Sequence, residues 1–268
     1  MSVAKVLDEC KAKNKAALIG YLPIGFPSFE KSVEAAKVLI ENGVDIVELG
    51  VPYSDPVLDG STIQIAVDRA LRNGFKLKQT FQAVNEVTKM GAPVLVMSYY
   101  NPIYKYGVEK FAADLRNSGG SGIITADLVP EEAQDWILAA DRNGLDKVFL
   151  VAPSSTTARL ELTSRAARGF VYATSTMGVT GLRNTLNEGV ADLISRTRDA
   201  GAERVCVGVG VSNPEQARIV AKSADGVIVG SAFVKILLQA KPWEESLADL
   251  AKLTQELAQG VAAGGMDR

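Results

Sequence analysis

Short apolar runs rich in β-branched residues recur along this chain, with helical patterns between them. They are AALIGYL (16–22), DIVELGV (45–51), PVLVMSY (93–99), GIITADL (122–128), KVFLVAP (147–153), FVYATS (170–175), RVCVGVG (204–210) and GVIVGSA (226–232). Each has about the length of a strand buried on both faces, as strands of parallel sheets are. In SFEKSVEAAKVLIENG, Ser28 can cap a helix whose Phe29, Val33, Ala36 and Ile40 share one face, and Gly43 can end it. Pro130 with Glu131 and Glu132 opens another helix, and Ser212 or Asn213 followed by Pro214 and Glu215 opens a third. The last pattern carries Leu247, Leu250, Leu253 and Leu257 at helical spacing.

Eight strand-like runs alternating with helices, spaced by about 20 to 50 residues, predict a (β/α)8 TIM barrel. Two further helical stretches, at the N-terminus and around 61–74, read as additions to it. A doubly wound open sheet is the alternative, but eight strands in roughly 250 residues suit closure better. No linker or low-complexity segment divides the chain, so residues 1–268 are expected to form one domain.

Composition removes whole classes of chemistry. The chain has no histidine, which excludes a Ser-His-Asp triad, a Cys-His pair and histidine-containing zinc sites. Its two cysteines, Cys10 and Cys206, are far apart in sequence and cannot supply a thiolate cluster, so no metal is expected. Acid–base chemistry must fall to Asp, Glu, Tyr or Lys. A formal net charge of -2 speaks against a nucleic-acid partner. No run reaches the roughly 18 apolar residues of a spanning helix. The charged N-terminus lacks a signal-peptide core, and structural disulfides are not expected, which together suggest a cytoplasmic setting.

In a barrel of this kind the active site lies at the C-terminal ends of the strands. Glu48 stands in the C-terminal half of the second run, with Asp55 and Asp59 on the loop after it. Glu48 could also be a buried acid paired with Arg or Lys, Asp55 a turn former, and Asp59 a turn residue or the cap of a helix near Thr62. The seventh run ends in Gly208 and Gly210 before Asn213–Pro214, and the eighth in Gly230 and Ser231 before a short helix. Glycines there let a ligand approach the backbone, and loops after strands 7 and 8 commonly bind phosphate. A Schiff-base lysine is not well placed: Lys147 opens its strand and Lys235 follows the last one by a helical turn.

Six stretches, ELGVPYSDPVLDGSTIQ (48–64), MSYYNPIYKYG (97–107), ADLVPEEA (126–133), YATSTMGVTG (172–181), GVGVSNPEQ (208–216) and VGSAFVKI (229–236), together resemble the tryptophan synthase alpha subunit family. The likeness covers nearly the whole chain, in order and on the expected loops. It implies retro-aldol cleavage of indole-3-glycerol phosphate to indole and glyceraldehyde 3-phosphate. In that chemistry indole C3 is protonated, the C3′ hydroxyl loses its proton, and positive charge developing on the ring is stabilised at the N–H.

By the resemblance, Glu48 matches the general acid–base and Asp59 the carboxylate facing the indole nitrogen. Gly181, Gly210, Gly230 and Ser231 match phosphate-binding positions. Tyr21, Tyr99, Ile124 and Leu150 match the indole pocket, Tyr172 a tyrosine near the glycerol phosphate, and Thr180 a loop threonine that meets the loop aspartate on closure. Ser61 stands where the family often has proline and Val209 where many members have phenylalanine. The family also implies a pyridoxal-phosphate beta subunit in an αββα heterotetramer, with no cofactor in this chain. The rival expectations are another phosphosugar barrel and a non-catalytic, phosphate-ligand-binding regulatory subunit.

Overall fold

In the computed structural model, which describes residues 2–174 and 183–265, every one of these apolar runs contributes a strand. They are β1 (Ala17–Pro23), β2 (Ile46–Gly50), β3 (Val94–Ser98), β4 (Gly122–Thr125), β5 (Asp146–Val148), β6 (Leu150–Val151), β7 (Val171–Thr174), β8 (Val205–Gly208) and β9 (Gly226–Val229). The fifth run is interrupted at Phe149, so β5 and β6 together fill one barrel position. The sheet order is β5-β4-β3-β2-β1-β9-β8-β7-β6, and its ladders are parallel. Because β5 leads directly into β6, the two ends of that order meet and the sheet curls into a (β/α)8 barrel.

The surrounding helices are α1 (Val3–Ala12), α2 (Phe29–Glu41), α3 (Ser61–Arg72), α4 (Lys78–Thr88), α5 (Tyr100–Tyr106), α6 (Val108–Asn117), α7 (Gln134–Arg142), α8 (Thr157–Ala166), α9 (Arg183–Asp199), α10 (Pro214–Ala221), α11 (Ser231–Leu237) and α12 (Trp243–Gly265). The expected additions are α1 and α3, and α5 is a further one that sequence patterning did not separate from α6. The Ser28 hydroxyl accepts from Lys31 N–H at the start of α2, and Asn213 Oδ1 accepts from Gln216 N–H at the start of α10. Pro130–Glu132 forms only a single 3-10 turn ahead of α7.

Two apolar layers follow from strand alternation. Outward residues such as Leu18, Val47, Val96 and Val207 meet the helices, where Phe111, Trp136 and Phe233 are fully buried, as is Phe149 between β5 and β6. Burial of a phenylalanine of that kind contributes about 1.5–3 kcal/mol. Inward residues Ala17, Ile19, Ile46, Leu95, Ile124, Val148, Phe170, Cys206 and Ile228 fill the barrel together with Val3, Val6, Leu7 and Cys10 of α1. Helix α1 therefore stoppers the N-terminal end. Asp8 on it receives two bonds of 2.8 Å from the Arg204 guanidinium, just before β8. At the same end Lys15 pairs with Asp45, Arg198 with Asp225, and Lys147 with Asp141, each within 2.8 Å. Lys147 thus lies at the closed end, as its place at the start of its strand predicted.

Candidate active site

The open end has a different electrostatic character. Ile46 points into the barrel, so Glu48 and Gly50, two and four residues further along β2, point inward as well. Glu48 is 0% exposed. Among the described residues neither of its carboxylate oxygens has a hydrogen-bond partner. Burial pushes its carboxyl up to about 8, because an ionised carboxylate without donors is disfavoured in an apolar interior. The possibility that Glu48 is paired with Arg or Lys is therefore excluded within the described chain.

Asp59 lies half-buried on the loop after β2, and burial raises its carboxyl to about 6. It does not cap α3: that helix begins at Ser61, and the preceding Gly60 supplies no side-chain cap. Its loop is pinned from two sides. Leu58 N–H donates to the Tyr99 hydroxyl at 2.9 Å, and the Gln64 amide donates to the Asp59 carbonyl at 2.9 Å and to the Pro56 carbonyl at 3.3 Å. The Tyr53 and Tyr99 rings lie 5.1 Å apart, and Asn101 donates to the Tyr53 hydroxyl. Asp55 takes a bond from the adjacent Ser54 hydroxyl and stays exposed, in keeping with a turn role.

Three tyrosines complete the wall around these acids. Tyr21 on β1 is in register with Glu48, and Tyr172 on β7 is in register with Cys206 on β8. Burial, first of all, raises both phenols well above their ordinary value, and both also feel the charges of Glu48 and Asp59. Tyr99 is pushed up to about 12 by burial, with Asp59 adding to the effect. Tyr21, Glu48, Asp59, Tyr99 and Tyr172 thus face one space. A β-carbon on Gly50 would fall 2.3 Å from the Tyr21 hydroxyl, and one on Gly208 would fall 2.2 Å from that of Tyr172. Each tyrosine is admitted by a glycine two residues beyond its register partner.

Of the other expected site residues, Ile124 is buried in the inner cluster and Leu150 packs against it. Met97, opposite Gly50 in the ladder, joins the same layer; its apolar character gave no signal of this in sequence. Gly210 follows β8 with φ +73, a backbone state that favours glycine. Gly230 precedes α11, and Ser231 is its exposed first residue. Thr180 and Gly181 lie outside the described residues. Asp127 was not anticipated: its carboxylate accepts from Tyr100 N–H at 2.7 Å and so caps α5 from the neighbouring loop. Among the described residues, no group of three or more His, Cys, Asp or Glu could hold a metal, and no helix is long and apolar enough to cross a membrane.

The family model described as tryptophan synthase alpha chain matches residues 7–262. The chain is 54% identical to the tryptophan synthase alpha chain of Bifidobacterium longum, over 94% of this chain and 88% of that one. It is 51% identical to that of Leifsonia xyli, over 98% and 99%. Among solved structures, a chain of tryptophan synthase from M. tuberculosis superposes with a TM-score of 0.89 at 47% identity, covering 98% of this chain and 99% of that one. An alpha-subunit variant from Pyrococcus furiosus gives 0.82 at 36% identity, covering 91% and 98%.

Proposed function

The chain belongs to the tryptophan synthase alpha chain family and is an enzyme of tryptophan synthesis; from that premise we propose that it is a carbon–carbon lyase cleaving indole-3-glycerol phosphate. The observation that carries this reading is Glu48, a fully buried carboxyl without a hydrogen-bond partner, sharing its space with Asp59.

A carboxyl raised to about 8 is neutral at pH 7 and enters the reaction as an acid. Its proton goes to indole C3, and the ring becomes an iminium-like electron sink. The Glu48 carboxylate so formed then takes the proton of the C3′ hydroxyl. The oxygen electrons form the aldehyde C=O, the C3–C3′ pair returns to the ring, and indole leaves with Glu48 reprotonated. Asp59, ionised above about pH 6, accepts from the indole N–H while the ring is positive. One residue thereby gives and regains a single proton, and no external acid is consumed. Gly210, Gly230 and Ser231 serve the phosphate, with Gly181 as an expected contributor, and Thr180 is the loop threonine expected to meet Asp59 on closure. Tyr99, Ile124, Leu150 and Tyr172 enclose the indole and glycerol parts.

The partner reading extends this. Val57 (79% exposed), Leu58, Tyr104 and Val129 are large exposed apolar side chains on segments following β2, β3 and β4, which are adjacent in the sheet. Exposed apolar side chains on neighbouring segments at the mouth suit a protein interface. A pyridoxal-phosphate beta subunit seated there, in an αββα arrangement, would receive indole close to where it forms. The setting is cytoplasmic. The test is an indole-release assay on purified chain with indole-3-glycerol phosphate. Wild type releases indole and Glu48→Gln loses about 10²- to 10⁴-fold in rate; near-normal turnover in that variant removes Glu48 from the mechanism.

A further inference from the structure

Tyr21 is placed with more care than a wall residue requires. Three adjacent strands shape its slot. The ring lies against Gly230 after β9, where a β-carbon would stand 3.0 Å from Cδ1, and the hydroxyl reaches across to Gly50 of β2. That hydroxyl therefore stands two residues beyond Glu48 on the mouth side. Tyr21 is 9% exposed, and no hydrogen bond from its hydroxyl is made to any described residue. A phenylalanine would keep the packing, so the hydroxyl is the part of the side chain left free to meet a ligand.

We infer that the Tyr21 hydroxyl donates a hydrogen bond to the C3′ oxygen of the ligand, the same oxygen that yields its proton to Glu48. This rests on the cleavage reading above. As that oxygen loses its proton it gains negative charge, and a donor already aimed at it is stabilising at that moment. The tyrosine does not itself move the proton. The titratable groups facing it are Glu48, Asp59, Tyr99 and Tyr172, and with burial they hold the phenol in its neutral, donating form. Glu48 is thus the proton carrier and Tyr21 the fixed dipole, on neighbouring strands and in register.

Tyr21→Phe removes one oxygen atom and tests this directly. The expected result is a fall in kcat of about tenfold or more, as for a hydrogen bond to an oxygen gaining charge. The variant should bind 3-(indol-3-yl)propyl phosphate, which has the ring, chain length and phosphate but no chain hydroxyl, within about twofold of wild type. An unchanged kcat overturns the inference. So does a loss of affinity for the deoxy analogue as large as the loss of kcat, which would make the effect one of ring packing. Glu48→Gln separates the two levels. If it turns over normally, the cleavage roles themselves fall; if it is inactive while Tyr21→Phe is normal, only the role of Tyr21 falls.

Discussion

Replacing Glu48 by glutamine should make the protein more stable, and only at high pH. The unfolded chain titrates Glu48 near 4.5 and the folded chain near 8. Between those values the folded state holds a proton that the unfolded state has released, so stability falls as pH rises through the window. Each unit of separation is worth about 1.36 kcal/mol. The full penalty is therefore about 5 kcal/mol well above pH 8, and most of it, about 3 to 4 kcal/mol, develops between pH 5 and pH 8. Glutamine does not ionise and escapes this slope, while its packing and amide desolvation contribute equally at both pH values. Urea unfolding of wild type and Glu48→Gln at pH 5 and pH 8 isolates the difference, because every other titrating group cancels between the two proteins. The stability gained by the variant should be larger at pH 8 by about 3 to 4 kcal/mol. A gain equal at the two pH values, within about 0.5 kcal/mol, would refute the claim that Glu48 is held neutral by burial.

Catalysis should follow a bell in pH. Cleavage needs Asp59 ionised and Glu48 protonated, so kcat/KM should rise through about pH 6 and fall through about pH 8; Asp59→Asn should remove the acid limb along with most of the activity, and an unaltered acid limb in that variant assigns it elsewhere. Tyr99→Phe removes the acceptor of Leu58 N–H and should loosen the loop that carries Asp59. Its signature is a kcat loss of about fivefold to tenfold, with thermal stability lowered by no more than about 1 kcal/mol; unchanged kinetics would show that Asp59 does not depend on that bond. Gly50→Ala would put a β-carbon 2.3 Å from the present position of the Tyr21 hydroxyl, so it should displace that hydroxyl and lower activity while leaving the outer helical layer, read by far-UV circular dichroism, intact.

Most of the fold was legible because each strand is a parallel strand buried on both faces, and such strands announce themselves as unbroken apolar runs. The interruption at Phe149 was not, since it leaves the apolar character of KVFLVAP unchanged and depends on how β5 and β6 pair with β4 and β7. Nor was α5, whose seven residues carry too little periodicity and whose cap, Asp127, comes from 27 residues away. At the site, Glu48 and Asp59 were visible as acids at a strand end, but their environment was not. Residue type alone allowed Glu48 to be an ion-paired core acid; only the packed barrel reveals that no cation or donor among the described residues reaches it.

The two ends of the barrel resolve the same problem in opposite ways. At the closed end, acids are met by cations: Asp45 and Asp225 at strand starts by Lys15 and Arg198, and Asp8 on α1 by Arg204. At the open end no cation or donor among the described residues reaches the Glu48 carboxylate, although an arginine in register on β1 in place of Tyr21 would be the simple remedy. That remedy would hold Glu48 ionised at neutral pH, and an ionised Glu48 has no proton to give to a ring carbon. The instability of a few kcal/mol and the acid function are one property seen from two sides. A variant that pairs Glu48, such as Tyr21→Lys, should therefore gain stability at pH 8 and lose cleavage together; a variant that gained the stability and kept the rate would break that link.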